Sequence, residues 1–148
     1  MLMIGEQAPA FEADSTLGPI RLNDYLGKQP IVLIFYPKDE TPICTKQLCA
    51  VRDSKAEYAK YDALVLGINP ASVEEHRKFS QKFMYDFPLV SDHEERIRQL
   101  YDVGKVFLLG QQRVVYVIAS DGTIVYAKKG NRPTSEIMAV LEHLLTTN

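Results

Sequence analysis

The side chains with the greatest chemical potential in this sequence are its two cysteines, Cys44 and Cys49. A cysteine reacts as the thiolate, which the free N–H groups and the dipole at the start of a helix stabilise. The sequence predicts such a start just before Cys44, because Thr41 is a good N-cap and Pro42 suits the first helical position. We therefore predict that Cys44 is a reactive thiol.

Cys49 follows five residues later on the same predicted helix. An unbroken helix holds the two Cα atoms about 8.7 Å apart, whereas a disulfide needs about 6.8 Å or less. The two sulfurs can therefore join only if the first turns unwind, as in a two-step device where Cys44 reacts and Cys49 resolves the product. The alternative for either residue is a small core side chain, and for Cys49 alone that alternative is equally favoured.

The spacing of the cysteines is by itself a weak signal. It is neither the C-x-x-C of disulfide reductases nor a zinc pattern, which needs four ligands. In a reducing compartment, such a pair is more often catalytic, redox-sensing or metal-binding than structural.

Length and composition favour one globular domain over residues 1–148, with 46% hydrophobic and 24% charged residues. The net charge is −2, and the basic run at 128–132 is too short to form a nucleic-acid patch. Nucleic acid is therefore not expected as a partner. No run approaches the ~18 apolar residues of a membrane span. The first ten residues lack the features of a signal peptide, so we expect a cytoplasmic protein without a membrane partner.

Hydrophobic periodicity predicts that the helix with the two cysteines directly follows a buried strand of an α/β protein. An N-terminal β-hairpin is predicted from 11–14 and 20–22, and an Asp-Gly turn at 121–122 predicts a second hairpin. The other predicted elements are strands at 30–36, 63–68, 88–90, 113–120 and 123–127, and helices at 42–60, 72–83, 92–101 and 135–145. This order favours a central mixed sheet flanked by helices and resembles a thioredoxin-like fold.

The remaining polar candidates have simpler interpretations. His76, His93 and His143 are predicted to lie on helix surfaces rather than to bind a metal. Residues 92–95 are predicted to be a charged first helical turn. Five aromatic residues are predicted to pack in the core: Tyr36, Tyr58, Phe83, Tyr85 and Phe87.

Four segments together resemble one family. Residues 37–44 match the P-x-x-x-T-x-x-C signature of the peroxiredoxins, and residues 45–49 resemble the bacterioferritin-comigratory, or peroxiredoxin Q, subgroup. That subgroup keeps its resolving cysteine five residues after the peroxidatic one. Residues 67–79, 87–92 and 113–122 extend the resemblance over nearly the whole chain.

The resemblance implies a role for each matching residue. Cys44 would be the peroxidatic nucleophile and Cys49 the resolving thiol, with a redox disulfide between them. Thr41 would hydrogen-bond the thiolate and the peroxide, Arg113 would stabilise the thiolate and polarise the O–O bond, and Pro37 would shield the pocket. The backbone N–H groups of residues 43 and 44 would complete the donor set. Ile43 departs from the family, which usually has glycine there, and makes the rim more apolar.

The implied activity is reduction of hydrogen peroxide and organic hydroperoxides, with thioredoxin or a similar dithiol protein as reductant and no metal or other cofactor. A monomer is expected, with a weak homodimer as the alternative. Three other classes remain: a redox-regulated binding or chaperone module, a thiol–disulfide oxidoreductase and a purely structural domain. A peroxide reaction no faster than that of a free thiol would favour the first. Disulfide exchange without peroxide would favour the second.

Overall fold

The computed structural model describes residues 1–106 and 108–146, so residues 107, 147 and 148 of the predicted 1–148 domain lie outside the described part. The strands are β1 (Glu12–Ala13), β2 (Ile20–Arg21), β3 (Ile31–Phe35), β4 (Leu64–Asn69), β5 (Leu89–Ser91), β6 (Lys105–Val106), β7 (Gly110–Gln111), β8 (Val114–Ile118) and β9 (Ile124–Lys129). The α-helices are α1 (Pro42–Asp53), α2 (Lys55–Lys60), α3 (Val73–Phe83), α4 (Arg96–Leu100) and α5 (Thr134–Thr146).

The central sheet has five strands in the order β5-β4-β3-β8-β9, with β3 in the middle. β3 pairs in parallel with β4 and antiparallel with β8, while β4–β5 is parallel and β8–β9 antiparallel. The predicted mixed α/β architecture is therefore confirmed, as are the N-terminal β1–β2 hairpin and the β8–β9 hairpin. The fully buried β3 explains why its sequence is continuously apolar.

Successive residues of β3 point to opposite faces of the sheet and contribute to two separate apolar clusters. One cluster receives Leu33 and Phe35, together with Ile97 from α4. The other receives Ile34 and, from the helices on that face, Cys44, Leu48, Val51, Tyr58, Phe79, Ile137 and Leu141. The aromatic residues assigned to the core do lie in or against this second cluster.

The prediction of a single helix over 42–60 is wrong, because the structure has two helices there. Ser54 leaves helical geometry (φ −101°, ψ 17°) and separates α1 from α2. Serine is a residue whose side chain competes with helical hydrogen bonding, and the break lets Tyr58 pack on the same cluster as Val51.

The helix predicted over 92–101 begins later than expected. Residues 92–95 do not form a helical turn; instead the Asp92 carboxylate accepts hydrogen bonds from the N–H groups of Ile97 (3.0 Å) and Arg98 (2.9 Å). Asp92 thus caps α4 from outside it. None of the helices in the described part of the chain has the length and apolar character needed to span a bilayer.

Candidate active site

Cys44 lies in the first turn of α1, directly after the loop that leaves the carboxyl end of β3, and its side chain is fully buried. The first backbone bond into the helix is Thr45 N–H to Thr41 O, at 2.8 Å. Pro42 has no N–H, and the N–H groups of Ile43 and Cys44 have no protein acceptor within the described chain. Two unpaired donors at a positive helix end can stabilise a negative charge on the Cys44 sulfur.

Thr41 occupies the N-cap position but does not cap the helix with its side chain. Its hydroxyl instead donates to the carbonyl of Lys38, at 3.0 Å. The expected capping bond is absent because the hydroxyl is directed towards the loop, away from the N–H groups of α1. The donors of the first turn therefore stay open.

Arg113 approaches the same helix from a distant part of the sequence. It immediately precedes β8, whose first residue, Val114, pairs with Phe35 at the end of β3. Its Nη1 donates to Oε1 of Gln47 at 3.2 Å, and Gln47 is buried one turn after Cys44. The sheet register thus brings a guanidinium to the beginning of α1.

Gln47 was not recognised from the sequence. Its position three residues after Cys44 places the two side chains on neighbouring parts of one helix face, which was the only available signal.

Pro37 is held in place by the small β6–β7 hairpin, which was also not predicted. Gly110 has a positive φ of 88° and lies so close that an added Cβ would be 3.4 Å from the Pro37 carbonyl oxygen. The neighbouring side chain, Gln111, donates from Nε2 to the carbonyls of Tyr36 (2.8 Å) and Ile68 (2.7 Å). The start of the loop is thereby fixed on the ends of two strands.

The middle of the loop is fixed by Asp39, through a network that contradicts the prediction for His76. His76 is completely buried: Nδ1 lies 2.7 Å from Oδ2 of Asp39, and Nε2 lies 3.1 Å from the carbonyl oxygen of Val90. Both ring nitrogens thus lie within hydrogen-bond distance of an oxygen atom, one on a side chain and one on the backbone. The surface assignment was wrong because His76 shares the inner face of α3 with Phe79 and Ser80.

The other carboxylate oxygen of Asp39 accepts two further hydrogen bonds, from the Tyr36 hydroxyl (2.7 Å) and from Nδ2 of Asn69 (3.0 Å). Burial, followed by the nearby Asp39, raises the pKa of Tyr36 well above its ordinary value, so its phenol stays protonated and donates. Asp39 thereby joins the loop before α1 to the residue after β3, to β4 and to α3.

The Asp39 network yields a stability prediction. Replacing Asp39 with asparagine removes the carboxylate charge and puts an NH₂ group, which cannot accept a hydrogen bond, in place of one carboxylate oxygen. We therefore expect the free energy of unfolding to fall by about 1–3 kcal/mol. Urea unfolding of the reduced protein measures the loss. Glu74→Gln serves as the control, because it breaks only an exposed pair with Lys78 and should cost less than about 0.5 kcal/mol. Equally small losses in both variants would contradict a structural role for the network.

Cys49 is half-buried on the same helix, and both cysteines are free thiols. α1 is continuous from Pro42 to Asp53, so helix geometry separates the two Cα atoms by about 8.7 Å. A disulfide between them requires the start of α1 to unwind. In the folded helix, the Cys49 sulfur lies 3.3 Å from the hydroxyl of Tyr85.

Comparison with known proteins agrees with this geometry. Residues 4–127 match the model of the AhpC/TSA family. The chain is 38% identical to peroxiredoxin Bcp of Bacillus subtilis over 82% of each protein. It is also 38% identical to the chloroplastic peroxiredoxin Q of Sedum lineare, over 81% of this chain and 65% of that protein.

Solved structures show the same similarity. Peroxidoxin BcpB of Mycobacterium tuberculosis superposes with a TM-score of 0.87 at 28% identity, covering 100% of this chain and 99% of the other. The bacterioferritin comigratory protein of Xanthomonas campestris gives 0.79 at 28% identity, covering 92% and 90%. The fold is therefore thioredoxin-like, as predicted. The chain belongs to the AhpC/TSA family and, within it, to the Bcp and peroxiredoxin Q group of peroxiredoxins, which are thiol-dependent peroxidases.

Proposed function

We propose that Cys44 is the peroxidatic nucleophile of this peroxidase. The observation that supports this most directly is a buried cysteine beside two unpaired N–H groups at the start of α1, with Arg113 anchored one turn away through Gln47. These are the donors that a thiolate and the departing peroxide oxygen need.

In the first step, the Cys44 thiolate attacks one oxygen of the hydroperoxide. An S–O bond forms and the O–O bond breaks, the leaving oxygen takes a proton as water or alcohol, and Cys44 becomes a sulfenic acid. Arg113 and the free N–H groups stabilise the charge that builds on the leaving oxygen. Thr41 can contribute if its hydroxyl turns from Lys38 to the substrate, and Pro37 shields the reacting atoms from water.

In the second step, Cys49 attacks the sulfenic sulfur. The S–S bond forms, the S–O bond breaks and water leaves, giving an intramolecular disulfide. A thioredoxin-like dithiol protein then reduces this disulfide, becoming oxidised itself. The cycle uses only sulfur chemistry and needs no metal, haem or flavin.

Organic hydroperoxides form part of the proposed substrate class. Ile43 is about half exposed (56%) at the first turn of α1, where it adds an apolar surface beside the reacting sulfur. The Xanthomonas campestris relative is described by its alkyl peroxide reduction activity. Hydrogen peroxide, which makes no use of an apolar rim, remains a substrate by the same chemistry.

We further propose that the working unit is a monomer with one domain over residues 1–148, because a resolving thiol on the same helix requires no second subunit. A weak homodimer is compatible with this cycle. The net charge of −2 and the shortness of the basic run at 128–132 argue against nucleic acid as a partner. The cytoplasmic location stays a prediction, since several relatives are chloroplast proteins by name.

Mass spectrometry after one equivalent of peroxide tests the cycle. We expect the reduced protein to lose two hydrogens, with the link mapped to Cys44 and Cys49. A Cys49→Ser variant should instead keep one added oxygen on Cys44. A lasting added oxygen on Cys44 in the unmodified protein would contradict the resolving role of Cys49.

A further inference from the structure

Tyr85 is a buried tyrosine whose hydroxyl reaches the helix that carries both cysteines. It follows α3 and precedes β5, and its ring packs against Phe79, Phe83 and Phe87 with centroid distances of 5.2, 5.8 and 5.3 Å. Its backbone carbonyl accepts a hydrogen bond from the Ser80 hydroxyl at 2.9 Å. These contacts hold the phenol oxygen in a fixed position against α1.

The phenol oxygen contacts two groups of α1. It lies 3.1 Å from the carbonyl oxygen of Thr45 and 3.3 Å from the sulfur of Cys49. A phenol has only one proton to donate, and the Thr45 carbonyl can only accept. In the folded helix, the proton of Tyr85 is therefore directed to Thr45, and the Cys49 thiol can donate to the phenol oxygen. While α1 stays folded, the phenol proton is therefore not available to the Cys49 sulfur.

We propose that Tyr85 couples the unwinding of α1 to the activation of Cys49. Thr45 is adjacent to Cys44, so it leaves Tyr85 when the first turns unwind to bring the Cys44 sulfenic acid towards Cys49. The phenol proton is then free to donate to the Cys49 sulfur and to stabilise it as a thiolate. Tyr85 acts on a reacting atom and is therefore a catalytic residue of the resolving step.

The step balances without a further reagent. The Cys49 thiol gives its proton to solvent, and its sulfur bonds to Cys44 as the S–O bond of the sulfenic acid breaks. The departing hydroxide takes a proton and leaves as water, while Tyr85 keeps its own proton. Cys49 is oxidised and the sulfenic sulfur is reduced. The inference rests on the proposed function, because it needs Cys49 to be the resolving thiol.

Two features of the structure support this coupling. Burial raises the pKa of Tyr85, so the phenol remains a donor. Beyond Cys49, Arg52 donates from Nη1 to the carbonyl oxygen of Phe83 at 2.8 Å. This bond ties the segment before Tyr85 to the part of α1 that stays helical, so Tyr85 remains beside Cys49 while Thr45 moves away.

Tyr85→Phe is the decisive variant, because it removes the hydroxyl and keeps the ring. Tyr58→Phe is a matched control: Tyr58 is buried in the same apolar cluster, and its hydroxyl has no hydrogen-bond partner within the described chain. Stopped-flow reaction with one equivalent of hydrogen peroxide separates oxidation of Cys44 from formation of the disulfide. Trapping with dimedone identifies the sulfenic acid between the two phases.

We expect Tyr85→Phe to leave the first phase unchanged and to slow the second about tenfold, the loss of one hydrogen bond to a charged group. The longer-lived sulfenic acid should also make Cys44 more easily over-oxidised by excess peroxide. Tyr58→Phe should change neither phase.

Three outcomes would overturn the inference. An unchanged second phase would show that the hydroxyl takes no part, and a faster one would show that it only restrains the helix. Equal slowing of both phases would indicate a general structural role. Failure of the proposed function looks different, because the unmodified protein would then lack the disulfide phase altogether.

Discussion

Replacing Cys44 with serine is expected to lower peroxide turnover by at least about 1000-fold, because a serine hydroxyl does not ionise at neutral pH and no second nucleophile substitutes for it. In the proposed mechanism, the free N–H groups at the start of α1 and Arg113 stabilise the charge on this single sulfur. Consumption of hydrogen peroxide with a dithiol reductant in excess measures the loss.

Cys49→Ser is the matched control for this prediction. It should retain the reaction of Cys44 with the first equivalent of peroxide, while continuous turnover with a dithiol protein slows because the disulfide can no longer form. Turnover that survives Cys44→Ser would end the assignment of Cys44 as the nucleophile.

Replacing Arg113 with methionine is expected to slow the oxidation of Cys44 by about 100-fold or more, since removing one preorganised donor from a developing anion commonly costs that much. Methionine fills similar space without charge. The rate for the Arg113→Lys variant should fall between those of the unmodified protein and of Arg113→Met, because lysine keeps the charge but not the planar set of donors. The rate constant with hydrogen peroxide, measured under single-turnover conditions, reports this effect alone.

Arg96→Met provides the control for charge removal, because Arg96 is exposed and, among the described residues, forms an ion pair only with Glu94. It should leave the rate constant unchanged. A rate for Arg113→Met equal to that of the Arg96 control would show that the guanidinium serves only to hold Gln47 and α1.

The parts of this site that depend on local sequence could be predicted. A continuous apolar run gives β3, and Thr41 followed by Pro42 marks the start of α1, so the position of Cys44 at a helix N-terminus follows from neighbouring residues. The five-residue spacing to Cys49 likewise follows from helix geometry. The role of Arg113 could not be derived in this way, and only the resemblance to a known family pointed to it.

The parts that depend on contacts between distant segments were missed. The amide of Gln111 links a two-residue strand to the ends of β3 and β4, and nothing in the sequence near it indicates these partners. His76 was assigned to a surface although its spacing from Phe79 matches the buried face of α3. Tyr85 was correctly placed in the core, but its hydroxyl contacts Cys49 only because the segment after α3 packs against α1.

The decisive measurement is the rate constant for the reaction of the reduced Cys49→Ser variant with one equivalent of hydrogen peroxide, with the oxidised residue identified by mass spectrometry. A preorganised site predicts a sulfenic acid on Cys44, formed at least about 1000-fold faster than on a free thiol. A rate equal to that of a free thiol, or oxidation at any other residue, would contradict a peroxidatic Cys44.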